Sequence, residues 1–259
     1  MKLGAKIFLK RDIDFLEKVI DQIDFIETIA IHSQDYSFLK KYGKKIVIHA
    51  EHQSFGPNPA DSMKSKRNLE SITFALELAD ELKASKVICH PGIISNKNCN
   101  EKTAINFFKK INDERILIEN LPLLDYRGRA IDALCSLPEP TAAFLEKSSK
   151  KLCFDISHAI ISALAKNRAD YNEFLTPYLA LNPSHFHFSD ILLNKKRDHL
   201  HFGEGNLDTD YYRKLFQNNA EVTLETRNNA AKLLDDIKIL NPREISNRLY
   251  IHEILPDSS

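Results

Sequence analysis

The chain has 259 residues, with 36 Lys plus Arg against 36 Asp plus Glu, and so carries no net charge. That balance excludes the broad basic footprint of a non-specific nucleic-acid binder, while the length suits one large barrel of alternating strands and helices. None of Cys89, Cys99, Cys135 and Cys153 stands in a CxxC pair, which predicts free thiols in a reducing, cytoplasmic compartment and no disulfide framework. The opening MKLGAKIFLKRD lacks the apolar region of a signal peptide, and no run approaches the roughly 18 apolar residues of a membrane span, so no membrane partner is expected.

Apolar runs of strand length occupy residues 3–9, 25–31, 45–50, 86–90, 115–119, 151–155, 185–189 and 221–225. Most are near-continuous aliphatic and β-branched stretches, as expected of parallel strands buried on both faces. The segment 12–23 sets Ile13, Leu16, Val19, Ile20 and Ile23 on one helical face, and 64–82 does the same with Leu69, Ile72, Ala75, Leu76 and Leu82. Residues 171–179, 208–216 and 227–237 have similar helical spacing. Strands alternating with helices predict a parallel sheet. Eight such units predict an α/β fold of one closed (β/α)8 TIM barrel over 1–240, and no glycine-rich phosphate loop follows the first run. Gly56, Gly92, Gly128, Gly203 and Gly205 fall in strand-to-helix loops, where such a barrel builds its active face. Residues 241–259 begin with Asn-Pro and carry Leu249, Ile251 and Ile254; they are expected to form a tail packed on the barrel or on a partner subunit.

The third to eighth runs end in His49, His90, Glu119, Asp155, His187 and Glu225. In a parallel barrel these ends converge on one rim, however far apart they lie in the chain. Mixed imidazole and carboxylate donors suit zinc, manganese or iron better than magnesium or calcium. A carboxylate buried there without a partner would cost several kcal/mol or take up a proton, and a bound cation removes that cost. The pattern therefore predicts a metal site, with His158 and His199 close by.

The motifs HPG at 90–92, IEN at 118–120, FDISHA at 154–159, HFSD at 187–190, GEGN at 203–206 and LET at 224–226 run in an order that resembles endonuclease IV and the wider xylose-isomerase-like barrel superfamily. The resemblance implies two or three zinc ions, with Mn2+ or Fe2+ as alternatives. One would be held by His49, His90 and Glu119, and a second by Glu119 as a bridge with Asp155, His187 and Glu225. A third would draw on His158, His199 and an Asp. The family places that Asp two residues before its partner His, where this chain has Arg197. Asp198, adjacent to His199, and the extra imidazole His201 are the substitutes from which a third site would be rebuilt.

The implied activity is phosphodiester hydrolysis on DNA with abasic or otherwise damaged sites, with Glu119, Glu225, His158 and His199 as catalytic residues and Glu204 orienting a ligand histidine. Arg127, Arg129, Lys196, Arg197 and Arg227 lie in the expected active-face loops, where they would meet an anionic substrate. The chain departs from the endonuclease pattern at KIFLKRD, in Glu27 of FIETIA, and in AEHQSFGPNP, where His52 stands in place of an expected tyrosine. Those departures keep open a second implication of the superfamily, a metal-dependent isomerase or epimerase acting on a sugar or sugar phosphate. There Glu119, Asp155, His187 and Glu225 would hold a single metal and His158 would contact the sugar. His49 and His90 favour the hydrolase, since a mononuclear isomerase does not need them as ligands.

Overall fold

The computed structural model describes residues 1–168, 170–216 and 219–241. Eight parallel strands close into a barrel in the order β1 (Lys2–Ile7), β2 (Phe25–Ala30), β3 (Lys45–Ala50), β4 (Val87–Cys89), β5 (Ile116–Glu119), β6 (Lys151–Asp155), β7 (His185–Phe188) and β10 (Glu221–Leu224), which pairs with β1 again. An antiparallel hairpin, β8 (Asp190–Leu192) and β9 (Arg197–Leu200), rises directly from the end of β7. All eight barrel strands lie where apolar runs predict them, to within a residue or two at their ends. The expected tail falls almost wholly on residues 242–259, which lie outside the described residues.

Around the barrel run α1 (Ile13–Val19), α2 (Ser65–Glu81), α3 (Glu101–Lys109), α4 (Pro138–Ser148), α5 (Ile156–Ala165), α6 (Tyr171–Leu179), α7 (Thr209–Arg213) and α8 (Ala230–Leu240). Side-chain caps fix several starts: Asn100 accepts from Thr103 N, Asp170 from Glu173 N and Asn229 from Lys232 N. The periodicity reading does not find α3, α4 or α5. In α5 the cause is physical: residues 156–163 are buried on every side, so no polar face marks the helix. The 12–23 segment is α-helical only to Val19 and then tightens into a 3-10 turn. Among the described residues no helix is long and apolar enough to cross a membrane.

The main core lies between the sheet and the helices. A second apolar cluster of Phe25, Val47, Ile88, Leu117 and Cys153 takes one residue from each of β2 to β6 and fills the barrel interior. Gly4 of β1 makes room for it, because a Cβ there would collide with the Phe25 ring. One end of the barrel is bridged by charge: Glu221 accepts from Lys45 and Lys86, each at 2.7 Å. Two residues further along each strand from the interior cluster stand the polar side chains of the opposite end. All four cysteines are free and buried.

Candidate metal centre

Strand ends and one clamp bring the carboxylates together. Glu119 is the last residue of β5 and Asp155 the last of β6. Between them, the Asn120 amide donates to Asp155 O at 2.8 Å, and Asp155 N donates back to Asn120 Oδ1 at 2.7 Å. Asp155 also caps α5 by accepting from His158 N through Oδ1, at 2.8 Å. Its Oδ2 is left on the other side, 3.2 Å from His158 Nδ1. Glu225, just past β10, receives Lys6 Nζ and lies with Oε1 3.1 Å from His187 Nδ1.

The histidines are oriented from behind. A carbonyl only accepts, so a ring nitrogen bonded to one must carry the proton. His49 Nδ1 donates to Ala50 O at 2.7 Å, His158 Nδ1 to Asn120 O at 3.0 Å and His199 Nδ1 to Glu225 O at 2.9 Å. His90 Nδ1 sits 3.1 Å from the Gln53 side-chain oxygen in the same manner. In its neutral form each of these rings is thereby left with an unprotonated Nε2. For His49 and His90 that atom faces Glu119 Oε2, at 3.0 and 3.2 Å. Metal-ligating imidazoles are held in this way, with the far N–H on an oxygen acceptor. His187 is turned round: its Nε2 meets Glu27, while its buried Nδ1 points at Glu119 and Glu225 with no hydrogen bond of acceptable geometry.

These donors fall into groups in which one ligand atom per residue lies within 4.8 Å of the others. They are His49 with His90 and Glu119; Glu119 with Asp155, His187 and Glu225; His158 with Asp198 and His199; and, behind the second, Glu27 with His185 and His187. Glu119 belongs to two of them. The electrostatics fit a cation: burial and the crowding of Glu225 and Glu119 push the Asp155 carboxyl up to about 6 despite nearby His158. Burial holds His90 down at about 4, against the pull of Glu119. A lone pair aimed at carboxylate oxygens, together with an excess of buried negative charge, is the donor set that a divalent ion satisfies.

The structure brings His49, His90, Glu119, Asp155, His158, His187, His199, Asp198 and Glu225 together at one end of the barrel. His201 is not among them; it turns away, with Nδ1 2.6 Å from Asp236 of α8. Glu204 accepts from His201 N and pairs with Lys232, so it orients no ligand ring. The GEGN turn wraps around Asp190, whose Oδ2 accepts from Gly203 N and Gly205 N at 2.9 Å each, and a Cβ on Gly205 would strike that carboxylate. Of the loop cations, Arg227 lines a cavity of about 330 Å3 beside the histidines. Arg129 is tied to Asp125 and Arg127 lies over the exposed Tyr126 ring. Lys196 occupies the left-handed turn between β8 and β9, and Arg197 opens β9 in an exposed position.

Sequence reasoning missed Lys6, which lines the same cavity and pairs with both Glu225 and Glu27. The available signal was a lysine inside a short apolar strand, since lysine is almost never buried without a partner. His52 also lines the cavity and stacks on His90, with ring centroids 4.8 Å apart. Burial and the neighbouring His90 and His49 push it down to about 2, so it is a neutral imidazole.

Comparison with known proteins agrees with this architecture. Residues 36–243 match the family model described as xylose isomerase-like TIM barrel. An uncharacterised protein of Methanocaldococcus jannaschii is 29% identical over 184 residues, spanning 65% of this chain and 58% of that one. Among solved structures, a D-tagatose 3-epimerase-like protein aligns with a TM-score of 0.67 and 23% identity, covering 96% of this chain and all 100% of the other. Endonuclease IV from Thermus thermophilus aligns with a TM-score of 0.68 and 16% identity, covering 95% and 100%. These two likenesses speak to the fold, and the family match carries the assignment: the chain belongs to the xylose isomerase-like TIM barrel family.

Proposed function

We propose that this protein is a divalent-metal-dependent phosphodiester hydrolase of the endonuclease IV type, using zinc and acting on DNA with abasic or damaged sites. The observation that carries the reading is Glu119, whose carboxylate serves both the His49–His90 group and the Asp155–His187–Glu225 group. A mononuclear centre has no use for the first pair of imidazoles as ligands. In this reading His49, His90 and Glu119 hold one ion, Glu119, Asp155, His187 and Glu225 a second, and His158, Asp198 and His199 a third. The chemistry such ions supply is neutralisation of charge on the phosphoryl oxygens during an in-line displacement.

The chain's own residues do the rest. Glu119 fixes the spacing of the two neighbouring groups. His158 and His199, whose rings are 6.0 Å apart across the opening, offer Nε2 atoms to the leaving side. Lys6 and Arg227 line the cavity as cations and bind the phosphate. His52, neutral and stacked on His90, shields one wall from water. The test is incision of a duplex carrying one abasic site, with zinc or manganese added. Wild type cleaves, and Glu119→Gln loses at least about 100-fold, because both groups that share Glu119 lose a charged ligand. No cleavage by wild type, or equal cleavage by the variant, overturns the proposal.

One observation favours a second reading. Glu119, Asp155, His187 and Glu225 are sufficient for a single ion, and the cavity beside them is about 330 Å3, at the small end of ligand pockets. A ketose or ketose-phosphate isomerase or epimerase would use that set, with Glu119 and Glu225 moving the proton. Incorporation of solvent deuterium into such a sugar, together with no DNA incision, identifies it.

A further inference from the structure

We infer that Glu27 is the positioning residue of the centre: it fixes the proton of His187 on Nε2 and thereby makes the Glu119–Asp155–His187–Glu225 group the tighter of the two ion sites that share Glu119. The inference rests on the metal-binding part of the proposed function and is independent of the substrate.

Glu27 lies within β2 with no exposed surface. A chain of donors leads to it, and the direction of each bond follows from the one before. Lys86 Nζ has only protons to give and sits 3.3 Å from His185 Nδ1, which must accept. A nitrogen that accepts has no proton of its own, so the His185 ring carries its proton on Nε2. That nitrogen is 2.8 Å from Thr223 Oγ1, so the hydroxyl accepts there. The Thr223 hydroxyl then donates to Glu27 Oε2 at 2.7 Å. Lys6 Nζ lies 3.2 Å from Glu27 Oε1. Glu27 is therefore an ionised acceptor surrounded by donors, and His187 Nε2, 3.0 Å from Oε2, carries a proton toward it.

The consequence lies across the ring. When His187 is neutral, with its proton held by Glu27, the lone pair of Nδ1 faces Glu119 Oε1 at 3.3 Å and Glu225 Oε1 at 3.1 Å. Acceptor facing acceptor is repulsive until a cation lies between them. The other ligand-type imidazoles rest on neutral oxygens, namely Ala50 O, Gln53 Oε1, Asn120 O and Glu225 O. Within the two groups that share Glu119, only His187 has a carboxylate behind it, and a carboxylate behind a ligating imidazole raises its basicity as well as fixing its orientation. Of the two groups containing Glu119, this one also holds the larger number of carboxylates.

The experiment is calorimetric titration of metal-stripped full-length protein with Zn2+ and, separately, Mn2+, in wild type, Glu27→Gln and Glu27→Ala. Wild type should show a tight step at the Glu119–Asp155–His187–Glu225 group and a weaker one at the His49–His90–Glu119 group, separate from binding at His158, Asp198 and His199. Glu27→Gln keeps an acceptor but loses the charge, and should weaken the tight step about 10-fold; Glu27→Ala should approach 100-fold. The weaker step should be unchanged in both. In zinc-loaded wild type, a slowly exchanging His187 Nε2–H proton resonance should be present, and it should broaden or vanish in Glu27→Ala. A purely structural role would lower the unfolding midpoint without altering the ratio of the two affinities. If Glu27→Ala fails to fold, the Glu27→Gln titration decides. Unchanged affinities in Glu27→Gln, equal weakening of both steps, or no tight ion binding by wild type overturns the inference. A wild type that shows the expected asymmetry but incises no DNA leaves it standing and removes the hydrolase reading alone.

Discussion

Two carboxylates at opposite ends of the barrel respond to burial in opposite ways, and the difference lies in their neighbours. Burial alone would raise Glu221, but bonds from Lys45 and Lys86 bring it down to about 2. Asp155 has carboxylates for neighbours and is pushed up instead. The depressed value makes Glu221 a stabilising group above the ordinary carboxylate value of 4.5, and its contribution fades as pH falls toward about 2. Replacing it with glutamine therefore has a pH signature. In urea unfolding, the stability gap between wild type and Glu221→Gln should be full at neutral pH and should close progressively between about 4.5 and 2. A gap that stays constant over that range would show that Glu221 acts by packing and not by charge.

At the scale of the element, the junction of β6 with α5 joins fold to site. Asp155 ends the strand, starts the helix with one oxygen and faces the centre with the other. Asparagine at this position keeps an oxygen for the His158 N–H but removes the charge; alanine removes both. Asp155→Asn should leave the unfolding free energy nearly unchanged while weakening divalent-ion binding at least about 10-fold. Asp155→Ala should lose a further ~1 kcal/mol of stability through the missing cap. Equal destabilisation by both variants would remove the capping role. The same junction shows what was legible in the chain. The strand-end residues His49, Glu119 and Asp155 could be read because aliphatic runs stop at them and the barrel rule places those stops on one rim. Helix α5 could not, because it has no polar face. Lys6 and Glu27 stand inside their runs, and what they do depends on contacts across the barrel between β1, β2, β7 and β10. The exclusion of His201 depends on Asp236, in a helix that packs behind the loop. Neither relation has a local signature.

Considered as a whole molecule, the barrel holds a concentration of like charge that its fold alone does not neutralise. Glu27, Glu119, Asp155 and Glu225 are all buried at one end, with Lys6 as the ammonium among them. Burial would raise Glu119, and the neighbouring His187 and His90 hold it well below its ordinary value. The unfolded chain has no assembled ligand set, so an ion binds the native state almost exclusively and stabilises it by mass action. Saturation at 100 times the dissociation constant contributes about 2.7 kcal/mol. For a domain of this size each kcal/mol moves the midpoint by about 2–4 °C, so zinc or manganese should raise Tm by about 5–10 °C, and a chelator should reverse the shift. Glu119→Gln should show a much smaller response, since Glu119 belongs to both neighbouring groups. Scanning calorimetry on the four combinations of wild type or Glu119→Gln, with and without ion, is sufficient. An equal shift in both proteins would mean that the ions stabilise the fold somewhere other than at this rim.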